Sequence, residues 1–422
     1  MTDVTPPRAG ALFAVAIAAA WVPATAPARA ANYSVIHAFT GTPDGQNPQS
    51  SLLDVNGTLY GTTISGGHSS CDCGTVYTLT AGGHYHVIYR FRGGKDAEAP
   101  FGALTDAGGT LYGTSALGGI ANACSDSGCG TVYSLTPGGV ARVVYTFRGD
   151  SDGGMPLSRL TKMGGVLYGT TLIGGNTGCE YTGCGTVFSV TPSGSKTTVY
   201  TFNGGDDGSS PRSGLLKVGE ILYGTTSTGG GTGCGGSGCG TVYSVTPAGA
   251  EQIVYSFSGG NDGANPSSDL VDVAGTLYGT TPSGGGSGCG GSGCGTVFSL
   301  TTAGVENIVY AFAGGSDGSA PQAGLLYDGH TLYGTTSMGG DSRCNGGCGT
   351  LYSMTLAGTE KILHAFKAGT DGGWNPVAAP TVVHGTLYGT TNYGGSGFCP
   401  LSGGADPPAA ATHCGAVFKL TP

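Results

Sequence analysis

The chain has 422 residues, with 16 Lys and Arg against 25 Asp and Glu and a formal net charge of −9. Charged residues make up only 10% of it and no basic block occurs, which excludes nucleic acid as an expected partner. Its 86 Gly and 21 Pro come to about a quarter of the residues, a level that means disorder without a period and many turns with one.

The first element is an export signal. Arg8 precedes the apolar run "GALFAVAIAAAWVPA" from Gly10 to Ala24, and "APARA" then sets Ala28 and Ala30 at the small-residue positions of a signal-peptidase site. Pro23, Pro27 and the shortness of the run argue against a buried helix. Cleavage is expected after Ala30, with residues 1–30 as signal peptide and a secreted or periplasmic mature chain, 31–422. Beyond residue 31 no segment is long and apolar enough to span a membrane.

A strand candidate, "NYSVIHAF" from Asn32 to Phe39, comes next, and then a repeat. "LYGT" occurs seven times, with Tyr60, Tyr112, Tyr168, Tyr223, Tyr278, Tyr333 and Tyr388 spaced 52, 56, 55, 55, 55 and 55 residues apart. One unit, Ser210 to Gly263, holds the strand candidates "SGLLKV", "ILYGTT", "GTVYSVT" and "EQIVYSF". Each is rich in β-branched and aromatic residues and bounded by Gly, Pro, Asn or Asp. Four strands per unit and seven units predict an all-β, seven-bladed β-propeller. Blades are expected to begin near Asn47, Ala99, Met155, Ser210, Asn265, Ala320 and Asn375. The final segment, "GAVFKLTP", matches a third strand and the 32–39 segment matches a fourth. The N-terminal strand is therefore expected to complete the last blade. The alternative, an open β-solenoid, has shorter coils and needs caps.

The unit "LYGTT-x-x-GG … GTVYSLTP-x-G … VYTF-x-GG-x-DG-x-x-P" resembles the GloVer tandem-repeat family of exported bacterial proteins over essentially the whole mature chain. The resemblance implies a propeller, and among members with different C-terminal anchors this chain is similar to the unanchored kind. It brings no activity and no catalytic set. The layout is also similar to kelch repeats, without the kelch tryptophan.

All fourteen cysteines fall between the second and third strands of a unit. The pairs are Cys71/Cys73, Cys124/Cys129, Cys179/Cys184, Cys234/Cys239, Cys289/Cys294, Cys344/Cys348 and Cys399/Cys414. In an exported chain, even pairing points to disulfides. Zinc asks for about four Cys or His ligands per site, and a redox pair is expected once, beside a helix. Neither a metal nor a cofactor is expected. Closing a loop of about six residues removes denatured-state freedom worth roughly 2 kcal/mol. The expected staple is a device of the exposed loop itself. Cys71-Asp72-Cys73 is the exception, because a bridge across one residue is strained, and this pair could instead stay reduced or join elsewhere.

Departures from the repeat mark the candidate functional residues. The linker aspartates, Asp44, Asp96, Asp152, Asp207, Asp262, Asp317 and Asp371, are common to all units and are expected to make Asp-Gly turns. His37 and His364 take the place of a repeat tyrosine and are expected to be structural. Arg159 and Asp269 share one inner-strand position where other units have Ser51, Ala103, Gly214, Gly324 and Ala379, so both are expected near the central channel. The seventh unit carries Trp374, Tyr393, Phe398 and the enlarged Cys399–Cys414 loop, and Glu180 and Tyr181 replace glycine-like positions in the third. Aromatic rings on a loop face can stack on sugars. The leading expectation is a monomeric, non-catalytic propeller that binds a glycan or cell-surface protein on its stapled loop face. A polysaccharide lyase or hydrolase acting at the channel, and a purely structural envelope protein, stay open as alternatives.

Overall fold

Short strands of β-branched and aromatic residues between glycine turns cannot bury both faces alone, and the chain stacks them into seven four-stranded antiparallel sheets set in a ring. The computed structural model describes residues 1–2, 31–119, 124, 126–179, 182–369, 372–395, 399 and 414–422. Two compact units are distinguished, Met1–Ala30 and Ala31–Pro422. The signal segment of the first lies outside the described residues. All that follows concerns the second.

Blade 4 shows the plan. Its strands, from the channel outwards, are Leu216–Val218, Ile221–Thr226, Thr241–Val245 and Glu251–Ser256. The third strand places an aromatic ring directly over the glycine of "LYGT". A Cβ at Gly224 would lie 2.5 Å from the Tyr243 hydroxyl, so glycine is required there for space and not for its φ. Phe257 and Phe298 meet edge to face at 5.1 Å and join Tyr223 of blade 4 and Leu277 of blade 5 in one buried cluster. The core thus consists of packets between neighbouring blades, one per seam.

The ring is closed as the sequence predicts. Asn32–Ala38 pairs antiparallel with Ala416–Thr421, from Asn32 opposite Thr421 to Ala38 opposite Ala416. This pairing carries the same one-residue register shift as the outer strands of the other blades. One alignment differs. The inner strands are shorter than the "SGLLKV" segment suggests, with only Leu216–Val218 laddered in blade 4. The residues before it pair with the neighbouring blade instead. The Thr170 hydroxyl donates to the Ser213 carbonyl at 3.0 Å, and the Thr161 hydroxyl donates to that of Leu215.

All seven cysteine pairs are disulfides: Cys71–Cys73, Cys124–Cys129, Cys179–Cys184, Cys234–Cys239, Cys289–Cys294, Cys344–Cys348 and Cys399–Cys414. Such a set belongs to a protein that works outside the cytoplasm. The structure corrects the expectation that the staples belong to the exposed loops alone. Cys73, Cys129, Cys184, Cys239, Cys294, Cys348 and Cys414, the second cysteine of each pair, are all buried, Cys129 with 0% of its surface exposed. None of these seven sulfurs is placed to meet a ligand. The reason is position in the chain, because each stands two residues before the third strand or its equivalent, where the backbone passes beneath the next linker. At Cys239 the following Gly240 already packs on Pro266 of blade 5, a Cβ there standing 2.7 Å from the proline ring.

The carbonyl of each of these buried cysteines accepts the N–H of the residue that opens the next blade. Ala99 donates to Cys73 at 3.0 Å, Met155 to Cys129 at 2.8 Å, Ser210 to Cys184 at 2.9 Å and Asn265 to Cys239 at 2.7 Å. Ala320 donates to Cys294 and Asn375 to Cys348, both at 2.9 Å, and Asn47 donates to Cys414 at 2.8 Å across the closing seam. These blade-opening residues all have a positive φ, between 53° and 60°. Each staple therefore holds a seam as well as its own loop.

Candidate functional site: the channel and the loop face

Strand alternation decides what lines the channel. Around the start of blade 4, Ser213 and Leu215 are buried against neighbouring blades, while Arg212 and Leu216 line the central cavity. This cavity has a volume of about 370 Å³. The linkers reach the inner strands on the same face as the stapled loops, because linker and loop are bridged in each case, as at Ser209 with Thr228 and Gly154 with Ile173. The rim on this face includes Gln49, Phe101, Arg212, Ser267 and Gln322. Gln49 is fixed by its amide, which donates to Asn392 Oδ1 at 2.9 Å.

One level down, the structure brings Arg159 and Asp269 together. Arg159 Nε lies 2.7 Å from Asp269 Oδ2, reaching across blade 4 from blade 3 to blade 5. The Gly214 N–H donates to Asp269 Oδ1 at 2.6 Å. A Cβ at Gly214 would stand 2.9 Å from Arg159 Cγ and 3.0 Å from Asp269 Oδ1, so the absent side chain is what lets the pair meet. The sequence marks both charged positions but not Gly214. Its signal was present: the smallest residue, at the same register, in the blade between the two that carry the opposite charges. The side chains of Arg159 and Asp269 remain 44% and 34% exposed. A second cavity, of about 330 Å³, lies on the far side of Arg159 and is lined by Asp106, Lys162 and Lys217 among others.

Trp374 and Tyr393 are also brought together, away from the channel lining. Their backbones exchange two hydrogen bonds, of 2.9 and 3.2 Å, and their rings lie 4.7 Å apart at 32°. Trp374 is half-buried against a cluster containing Cys348, Leu351 and Phe366, and its Nε1 is buried with no hydrogen-bond partner among the described residues. Phe398, Glu180 and Tyr181 lie outside the described residues. Among the described residues, no group of three or more His, Cys, Asp or Glu could hold a metal ion.

The repeat profile described as the Gloeobacter/Verrucomicrobia repeat matches residues 24–237 and 232–400. The chain belongs to this family. No match to it is found among curated proteins. Solved structures similar to this repeat protein include PorZ, a bacterial surface component of the type-IX secretion system of Porphyromonas gingivalis, with 13% identity over 91% of this chain and a TM-score of 0.49. A puromycin hydrolase has 11% identity over 85% and 0.48, and the GH74 enzyme of Niastella koreensis 16% over 78% and 0.45. The repeat protein covers 48%, 52% and 47% of these chains, about half of each.

In this Gloeobacter/Verrucomicrobia repeat protein the linker aspartates close turns. Asp207 accepts the Asn203 N–H at 2.6 Å and the Tyr200 hydroxyl at 2.6 Å; Asp152 and Asp317 do the same with Tyr145 and Tyr310. His37 takes over this task at the closing seam, with Nε2 3.1 Å from Asp44 and its ring stacked 3.6 Å from Tyr85. Asp371 lies outside the described residues. What faces each aspartate from the next outer strand varies. Lys196 places its ammonium 2.9 Å from Asp152 Oδ1 and 2.7 Å from the Asp152 carbonyl. At the next three seams the same position holds Glu251, Glu306 and Glu360. Burial and then the facing Asp207, Asp262 and Asp317 carboxylates push these glutamates up to about 7. Their Oε1 atoms are buried without a hydrogen-bond partner among the described residues. No sequence motif announced these contacts.

Proposed function

We propose that the chain is a non-catalytic binding propeller, exported by cleavage after Ala30 to the periplasm or the exterior, that takes a carbohydrate at the loop-face mouth of its channel as a monomer. The observation that carries this is the cavity of about 370 Å³ on the face where the loops are stapled and tied to the linkers. Its volume lies within the range of small-molecule sites. Its rim combines amides, a hydroxyl, a guanidinium and the ring of Phe101, the donors, acceptors and apolar platform that a sugar ring uses. Loops fixed before the ligand arrives lower the entropic cost of binding. Asp269 is tied to Arg159 and to the Gly214 N–H, which leaves no free carboxylate there for acid–base chemistry and favours binding. The Trp374–Tyr393 pair belongs to the same face and would border a longer glycan.

The test is a screen of the purified protein against immobilised glycans and polysaccharides, with product analysis of the same mixtures. Retention of a saccharide without cleavage is the expected outcome. Cleavage would replace the binding reading with a hydrolase or lyase at the channel. If no saccharide is retained, a protein partner or a structural envelope role becomes the better account.

A further inference from the structure

The charges along the channel do not follow those of the chain. The protein has a net charge of −9, yet the two cavities are lined by four basic side chains, Arg159, Lys162, Arg212 and Lys217, and two acidic ones, Asp106 and Asp269. All four basic residues come from blades 3 and 4, Lys162 and Lys217 on the inner strands and Arg159 and Arg212 in the segments just before them, so they lie on one side of the channel. Arg212 stands at the rim, exposed and without an ion-pair partner among the described residues. Arg159 lines both cavities. Asp269 engages it at the Nε edge and is itself held by the Gly214 N–H, which orients the guanidinium instead of burying it. Lys217 also meets Glu220 at 3.4 Å, a pair on the far face.

A positive strip inside a low-dielectric channel of a negative protein focuses anions there. Two guanidinium groups in one cavity match the planar geometry of carboxylates. We infer that the ligand of this channel is an acidic saccharide, whose carboxylate is received by Arg212 and Arg159 while its hydroxyls meet the polar rim. The inference rests on the carbohydrate reading above and names the class within it. Neutral sugars lack the group that the stripe would recognise.

The experiment is a calorimetric titration of the purified protein with a short oligogalacturonate, with its methyl ester, and with a neutral xylo-oligosaccharide. Losing a charge-assisted contact is expected to weaken binding about tenfold or more, so the acid should bind at least about tenfold tighter than the ester. That preference should shrink as salt is raised. It should fall in Arg212→Gln, an exposed substitution outside the core, and persist in Arg142→Gln, on an outer strand. Equal affinity for acid and ester, or binding of the neutral oligomer alone, overturns the acidic-ligand inference and leaves the carbohydrate reading standing. Failure of all three, together with an empty glycan screen, overturns both.

Discussion

The seam between blades 2 and 3 and the seam between blades 3 and 4 are built on the same linker and are electrostatic opposites. In the first, Lys196 is 4% exposed and its ammonium sits on Asp152. In the second, Glu251 faces Asp207, and the Tyr200 hydroxyl gives its proton to Asp207, leaving Glu251 Oε1 buried without a partner among the described residues. The aspartate and its turn are demanded by the linker geometry, whereas the residue opposite is free to vary. A seven-fold repeat can therefore keep its shape while its seams differ in charge.

The strongest way to break the comparison is to remove the ammonium. Lys196→Met leaves the Asp152 carboxylate without its cation in a largely buried place, and should cost about 3 kcal/mol in denaturant unfolding. A smaller effect comes from the glutamate seams. Because the three glutamates titrate near 7 in the fold and near 4.5 when exposed, the folded state holds more protons between those values. Their contribution is thus present at low pH and is lost as pH rises from about 4.5 to about 7. Glu251→Lys recreates the Lys196 arrangement and should raise the melting temperature at pH 8 while flattening its pH dependence. An unchanged pH profile in the triple variant Glu251→Gln, Glu306→Gln, Glu360→Gln would sink this account. Smallest of all is Tyr243→Phe. The Tyr243 hydroxyl is buried with no partner among the described residues, and blade 5 has Phe298 in its place. Stability should stay level or rise by up to about 1 kcal/mol, measured by denaturant midpoint.

The blades and the pairing of the cysteines outside Cys71 and Cys73 were legible because both follow a period, and a period needs no knowledge of distant contacts; the Cys71–Cys73 bridge, which the sequence left open, forms as well. Closure by the 32–39 segment was legible for the same reason, as a fourth strand looking for its blade. The seam pairs were not, because Lys196 meets Asp152, and Glu251 meets Asp207, only once two blades are stacked. The burial of Cys129 and its equivalents was hidden for the same cause, since a glycine-rich setting suggests an open loop until the next linker is laid over it. Arg159 and Asp269 lie between these cases. The period marks them as departures, but their contact depends on what Gly214 lacks, a property of a third blade. Trp374 shows a different gap. Its sequence context suggests an exposed ring, while its position beside Tyr393 and the core of the adjoining seam leaves it half-buried.

The staples have a consequence outside the cytoplasm, where proteases attack exposed flexible chain. The segment between Cys234 and Cys239 is glycine and serine and largely open to solvent, as is that between Cys289 and Cys294. A cut inside either one opens the polypeptide but leaves both new ends joined through sulfur. The buried Cys239 and Cys294 carbonyls keep their hydrogen bonds to Asn265 and Ala320, and the blade keeps its neighbour. A nicked molecule would still be a ring, and would fall into fragments only after reduction.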